Sequence, residues 1–337
     1  MSFRTVADFE TALRDLPAPD EAAIAAARAR QAQLTKPSGS LGRLEDVAVF
    51  LAGWQGRERP ALEQCRAVIF AGNHGVAAQG VSLFPPEVTV QMVANFAAGG
   101  AAINALSAAA GLDLHVVPLD LDRPTCDFTQ APAMSEAECL AALSAGADMV
   151  EPGLDLFVPG EMGIGNTTPA AALCARAFGG TVADWVGPGT GLDTSGVARK
   201  VAVIDAALAF HDQSPRTPFE TLRRLGGREI AAMAGAILRA RQLRVPVVLD
   251  GFICGAAIAP LAAAVPAITD HCIAGHCSAE PGHMRLLERL GLEPLLHLGM
   301  RLGEGSGAAV AVQILRSALT AHNQMATFAE AGVAGGA

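Results

Sequence analysis

The stretch RAVIFAGNHGV, Arg66 to Val76, decides the fold: an apolar run with no polar interruption leads straight into a glycine-rich turn. A strand wetted on one face alternates apolar and polar residues, whereas one covered on both faces does not. The pattern therefore predicts a strand buried on both sides. Further strand candidates, most of them nearly continuous apolar runs, occur at Leu114–Pro118, Leu154–Val158, Thr181–Val186, Val245–Leu249, Ala267–Ala274 and Pro294–Leu298. Alanine-rich segments of helical length separate them. The expected fold class is α/β, a doubly wound, mostly parallel, Rossmann-like sheet.

The first sixty residues contain no such run. PAPDEAAIAAARARQAQL offers Asp20 as a cap before an Ala/Arg-rich helix. Residues 1–60, completed by about 322–337, are expected to form a small helical subdomain beside a large Rossmann-like α/β domain, 61–321. The apolar stretch Phe252–Ile268 holds two interior prolines and follows Asp250, so we read it as buried protein rather than a membrane span.

The chain has 337 residues, 51% hydrophobic and 17% charged, with a net charge of −9. That balance suits a large core, and with no Lys/Arg cluster it argues against nucleic acid as a partner. Seven scattered cysteines form no CxxC pair, and Cys272 and Cys277 around His276 lack the paired spacing of zinc sites. No metal is expected. MSFRTVADFE lacks a basic segment followed by an apolar core, so no signal peptide is expected and the cytoplasm is the default location.

In an open parallel sheet, ligands gather at the carboxyl ends of the strands, where glycine turns offer backbone N–H groups to anions. The unusual motifs fall there: AGNHGV, GEMGIGNTTP (160–169), GPGTGLD (187–193), DGF (250–252), HCSAEPGH (276–283) and LGMRLGEGSG (298–307). Two turns, around Glu161 and Glu304, pair glycines with one carboxylate before a small-residue helix, which suggests one site built from two loops. A GxGxxG directly after the first strand is absent, as are a Walker motif and the acidic phosphoribosyl-diphosphate motif. His74 fits a hydrogen-bonded structural histidine better than a catalyst.

With KPSGSLGRLE (36–45), AGNHGVAAQGVSLFPPEVTVQM (71–92) and MRLGEGSGAA (300–309), these motifs resemble the nicotinate-nucleotide–dimethylbenzimidazole phosphoribosyltransferase family, in the family's order. The resemblance implies transfer of phosphoribose from nicotinate mononucleotide to 5,6-dimethylbenzimidazole. The products would be nicotinate and α-ribazole 5′-phosphate, the lower-ligand nucleotide of cobalamin. It implies no cofactor and a homodimer. A noncatalytic nucleotide- or benzimidazole-binding relative, or the same fold acting on another lower-ligand base, is the alternative.

The resemblance makes Glu304 the general base and Glu161 a supporting carboxylate, either for an oxocarbenium-like ribosyl centre or for the ribose hydroxyls. The phosphate is expected on Gly163, Gly189 and Gly303 with Lys200 and Ser278. Ser82, Phe84, Gln91, Met162 and Leu302 are expected to line the base pocket. His297 departs from the family pattern, which often has an acidic residue there. KPSGSLGRLE is expected either to cover the partner's base pocket or to start a helix with Ser40 as its cap.

Overall fold

Successive residues of the first strand point to opposite faces of the sheet, and both faces are filled. The computed structural model describes residues 2–189 and 191–334. The N-terminal helices are α1 (Val6–Arg14), α2 (Glu21–Gln33) and α3 (Arg43–Gln55). Then follow β1 (Cys65–Ala71), α4 (Glu87–Ala97), α5 (Ala102–Ala110), β2 (Asp113–Pro118), α6 (Glu136–Asp148), β3 (Leu156–Met162) and α7 (Thr167–Phe178). The second half runs through α8 (Thr194–Phe210), α9 (Pro218–Leu225), α10 (Arg228–Gln242), β4 (Val247–Leu249), α11 (Phe252–Ala264), β5 (Cys272–His276), α12 (Pro281–Leu290), β6 (Pro294–Leu296), α13 (Ser306–Gln324) and α14 (Phe328–Ala331).

The sheet has the order β2-β1-β3-β4-β5-β6 with every pair parallel. Val68, Phe70, Phe157, Val247 and Leu249 face a core built with α6, α7, α10 and α11. Ala67, Ile69, Leu156, Val158, Val248 and Ile273 face another, built with α3, α5 and α13. The alternation is of side, not of polarity, which is why the strands read as unbroken apolar runs.

The N-terminal helices reach both cores. Phe9 of α1 packs at 6.1 Å, centroid to centroid, from Phe219 of α9, while Val47, Ala48 and Leu51 of α3 join the α13 side. Arg30 of α2 donates to the carbonyls of His322, Asn323 and Met325, tying the N-terminal segment to the chain's end. Residues 335–337 of the expected C-terminal tail, and Thr190 of the GPGTGLD turn, lie outside the described residues.

Three expectations need correction. Thr181–Val186 is not a strand: Val182–Asp184 forms a single 3-10 turn. Gly179 and Gly180 break the chain before it, and Trp185 turns inward, its indole N–H donating to the Gly179 carbonyl. The segment Ala267–Ala274 begins with another 3-10 turn, Pro266–Thr269, and its strand starts only at Cys272. The strand at Leu154–Val158 is shifted to Leu156–Met162, so Glu161 sits on β3, opposite Phe70, rather than in the turn beyond.

Candidate active site

A cavity of about 380 Å³ opens over the carboxyl ends of β3, β4 and β5. Glu161 comes from the end of β3, Asp250 from the residue after β4, His276 from the end of β5, and Arg301 to Glu304 from the loop before α13. The two glutamates singled out in the sequence therefore line one site.

Glu304 is held in an uncommon way. Gly303, Glu304 and Gly305 have φ of 84°, 61° and 77°, three left-handed residues in succession. The glycines adopt this freely, but for Glu304 it costs about 1–2 kcal/mol. Hydrogen bonds offset that cost. The Ser306 amide and hydroxyl donate to the Gly303 carbonyl at 3.0 and 2.6 Å, and the Gly305 and Ala308 amides donate to the two Asp250 oxygens at 3.1 and 2.9 Å. Helix α13 has no cap from its own N-cap residue, so Asp250 caps it from another strand. The Glu304 side chain is buried yet faces the cavity. Burial, aided by the neighbouring Asp250 charge, pushes its pKa up to about 7.

Glu161 is also buried, and one oxygen accepts a hydrogen bond from the Asn166 side-chain amide. Desolvation raises its pKa well above the usual carboxylate range; Asn166 opposes that, and Glu229, Asp250 and Glu304 add to it. Glu161 and Gly303 are interlocked, because a Cβ on Gly303 would collide with the Glu161 carboxylate.

The proposed phosphate residues divide. Gly163, Gly189, Gly303 and Ser278 line the cavity. Lys200 does not: its ammonium lies beneath the Gly189 turn, donating to Thr167 Oγ1 at 2.9 Å and the Gly187 carbonyl at 3.2 Å. Burial pulls its pKa down to about 8, against the opposing influence of Glu280. Arg301 and the N-terminus of α7 at Thr167 reach the cavity instead. The Arg301 guanidinium also donates to the Gly189 carbonyl at 3.2 Å.

The apolar side chains of Phe84, Val88, Met92, Met162 and Leu302 also line the cavity. Ser82 and Gln91 stand outside it. The Ser82 hydroxyl is turned back to accept from the Phe84 amide at 3.2 Å, and Gln91 lies on the exposed side of α4. His297 is exposed beyond β6 and does not line the cavity. Ser40 does not cap α3; Gly42 occupies that position without a side-chain bond. The KPSGSLGRLE segment is an exposed turn pinned by a 2.7 Å Lys36–Glu45 ion pair and by Arg43, which donates to the Pro294 carbonyl at 2.7 Å.

Asp250, His276, Asn166 and Arg301 were not singled out from the sequence. Each lies within a quoted motif; the partners of Asp250, His276 and Arg301 are far away along the chain, while that of Asn166, Glu161, is five residues off in the same motif.

A phosphoribosyltransferase family model matches residues 16–333. The chain is 72% identical over 334 residues to the nicotinate-nucleotide–dimethylbenzimidazole phosphoribosyltransferase of Novosphingobium aromaticivorans, covering 99% of both chains. It is 59% identical over 333 residues to the protein of the same name from Mesorhizobium japonicum, again covering 99% of both. A crystal structure of the protein so named from Thermus thermophilus superposes with a TM-score of 0.87 at 42% identity, covering 94% of this chain and 100% of that one.

Proposed function

Because the chain belongs to the nicotinate-nucleotide–dimethylbenzimidazole phosphoribosyltransferase family, we propose that it transfers the 5-phosphoribosyl group of nicotinate mononucleotide to 5,6-dimethylbenzimidazole. The products are α-ribazole 5′-phosphate and nicotinate, which places the enzyme in cobalamin biosynthesis. The observation that carries this assignment is Glu304: a carboxylate with a pKa near 7, lining a cavity that offers both apolar and polar side chains.

The benzimidazole lies against Phe84, Met162 and Leu302. One ring nitrogen attacks the anomeric carbon while the proton on the other passes to Glu304, within hydrogen-bond reach. The bond from that carbon to the pyridinium nitrogen breaks, its electron pair returns to the ring, and nicotinate leaves. The leaving group carries its own positive charge, so no diphosphate or metal is needed to activate it. Glu161, whose proton affinity is raised by burial, is better suited to holding a ribose hydroxyl than to offering charge. The phosphate rests on the α7 N-terminus and the Gly189 turn, with Arg301 as its cation. Lys200 acts indirectly by supporting that turn.

The enzyme is further proposed to be a cytoplasmic homodimer. All seven cysteines are free thiols, as suits a reducing compartment. Residues 87–110 are apolar yet mostly not buried, and Gly99–Gly100 break them into two helices, α4 and α5. Such a face suits a subunit contact, and the exposed turn at residues 37–42 is placed over the partner's pocket. Chain mass in solution tests the dimer.

Nicotinate release, followed with and without dimethylbenzimidazole, tests the reaction. Release that depends on the base and matches α-ribazole 5′-phosphate formation is expected. No release under either condition would make the protein a binding relative.

A further inference from the structure

Asp250 is buried and spends both carboxylate oxygens on the backbone of the turn that carries Glu304. Its Oδ1 also lies 3.4 Å from His276 Nε2. The imidazole packs flat against Gly307, where any Cβ would collide with it. The end of β4, the end of β5 and the first turn of α13 are thus fastened together at one carboxylate. Hydrogen bonds from N–H groups to a charged acceptor are about twice as strong as neutral ones. The left-handed geometry at Glu304 needs such an opposing force to persist.

We propose that Asp250 is a positioning residue for the transfer reaction, clamping the Gly303–Gly305 turn so that the Glu304 carboxylate points at the acceptor base. The inference rests on the assignment of Glu304 as base. Its second effect is electrostatic. The titratable and charged groups around Glu304 in this cavity are Glu161 from β3, Asp250 from the residue after β4, Cys254 from α11, His276 from β5, Glu280 just before α12 and Arg301 from its own loop. Asp250 is the neighbour that adds to burial in raising the proton affinity of Glu304. A neutral residue at this position therefore disturbs both the aim of the base and its acidity.

The test uses the full-length enzyme with Asp250→Asn, Asp250→Ser and, in parallel, Glu304→Gln, measured as kcat and kcat/KM across pH. An asparagine cannot accept both amide protons, since one of its two polar atoms is itself a donor. The expected result is a fall in kcat of about 100-fold, the scale of a misplacement near 1 Å. The acid limb of the profile should move to lower pH, with little change in KM for nicotinate mononucleotide. A merely structural role would leave the limb in place. If Glu304→Gln turns over like wild type, the assignment of the base fails. If Glu304→Gln is inactive but Asp250→Asn keeps the wild-type kcat and limb, the positioning inference alone is overturned. Asp250→Ser, which retains one acceptor oxygen without charge, decides the matter should the asparagine variant not fold. If neither variant folds, Asp250 serves the fold rather than the base, which also overturns the inference.

Discussion

His74 Nε2 lies 2.7 Å from Glu229 Oε1, and both side chains are sealed from solvent directly beneath the Gly163 turn. Gly72, Gly163 and Gly227 crowd around the pair so closely that a Cβ on any of them would press on it. This agrees with His74 as a structural histidine. Removing one member of such a buried hydrogen-bonded pair strands the other, at about 1–3 kcal/mol or more. His74→Ala and Glu229→Ala should each lose that much stability, read from the urea midpoint. A double substitution to Phe and Leu should lose less than the sum.

Glu304→Gln should lower kcat by about 10²- to 10⁴-fold, the usual contribution of a general base, while KM for both substrates changes little. Rapid-quench measurement of nicotinate release would locate the loss in the chemical step. A turnover near wild type would move the base elsewhere.

The pH dependence follows from the pKa of about 7 at Glu304. As a base the group must be deprotonated, so kcat/KM should climb as pH rises through about 7. Stability moves the opposite way. The folded pKa lies above the ordinary value of 4.5, so this group's contribution is fully present below about 4.5 and is lost as pH rises through about 7. Glu304→Gln should therefore be more stable than wild type at pH 8, by up to about 3 kcal/mol, and no more stable near pH 4. Paired thermal or urea melts at the two pH values would show it.

Gly303 and Gly299 lie in one loop with φ of 84° and 66°, but only Gly303 abuts Glu161; nothing lies within 4 Å of a Cβ on Gly299. Both alanine substitutions should cost about 1–2 kcal/mol in backbone strain. Gly303→Ala alone should also cost about 100-fold in kcat/KM, because it pushes the two carboxylates apart. Equal activity in the two variants would show that the interlock does not matter for catalysis.

Phe84 lines the cavity while remaining 48% exposed. Phe84→Ala should raise KM for dimethylbenzimidazole about 10-fold, or about 1.4 kcal/mol, with KM for nicotinate mononucleotide unchanged. Steady-state titration of each substrate checks this split.

The sheet was legible because β1 and β3 are short, mostly apolar runs buried along their length, and parallel burial leaves that mark on sequence; β2, at the edge of the sheet, is only half-buried and carries Asp113 and His115 among its apolar residues. Thr181–Val186 carries the same mark for a different reason: its apolar residues pack a 3-10 turn, not a strand. Glu161 and Glu304 were legible through their glycine neighbours, which the close contacts at Gly160 and Gly303 require. Lys200 read as a phosphate ligand because spacing cannot tell which side of a glycine turn an ammonium will take. Asp250 was not legible as a cap. Its partners are 55 and 58 residues away, and no local pattern links a carboxylate after one strand to a helix that starts so much later.

That remote cap also sets when the enzyme can first act. During synthesis the chain presents Glu161, Asp250 and His276 in turn, while Glu304, the proposed base, follows on a turn held once α13 has docked against β4 and β5. Contacts of such long sequence separation form late in folding. A nascent or truncated chain that has closed most of its sheet still lacks an aimed Glu304, so it is chemically silent toward the nucleotide. Competence then arrives with α13, and turnover becomes a readout of that docking.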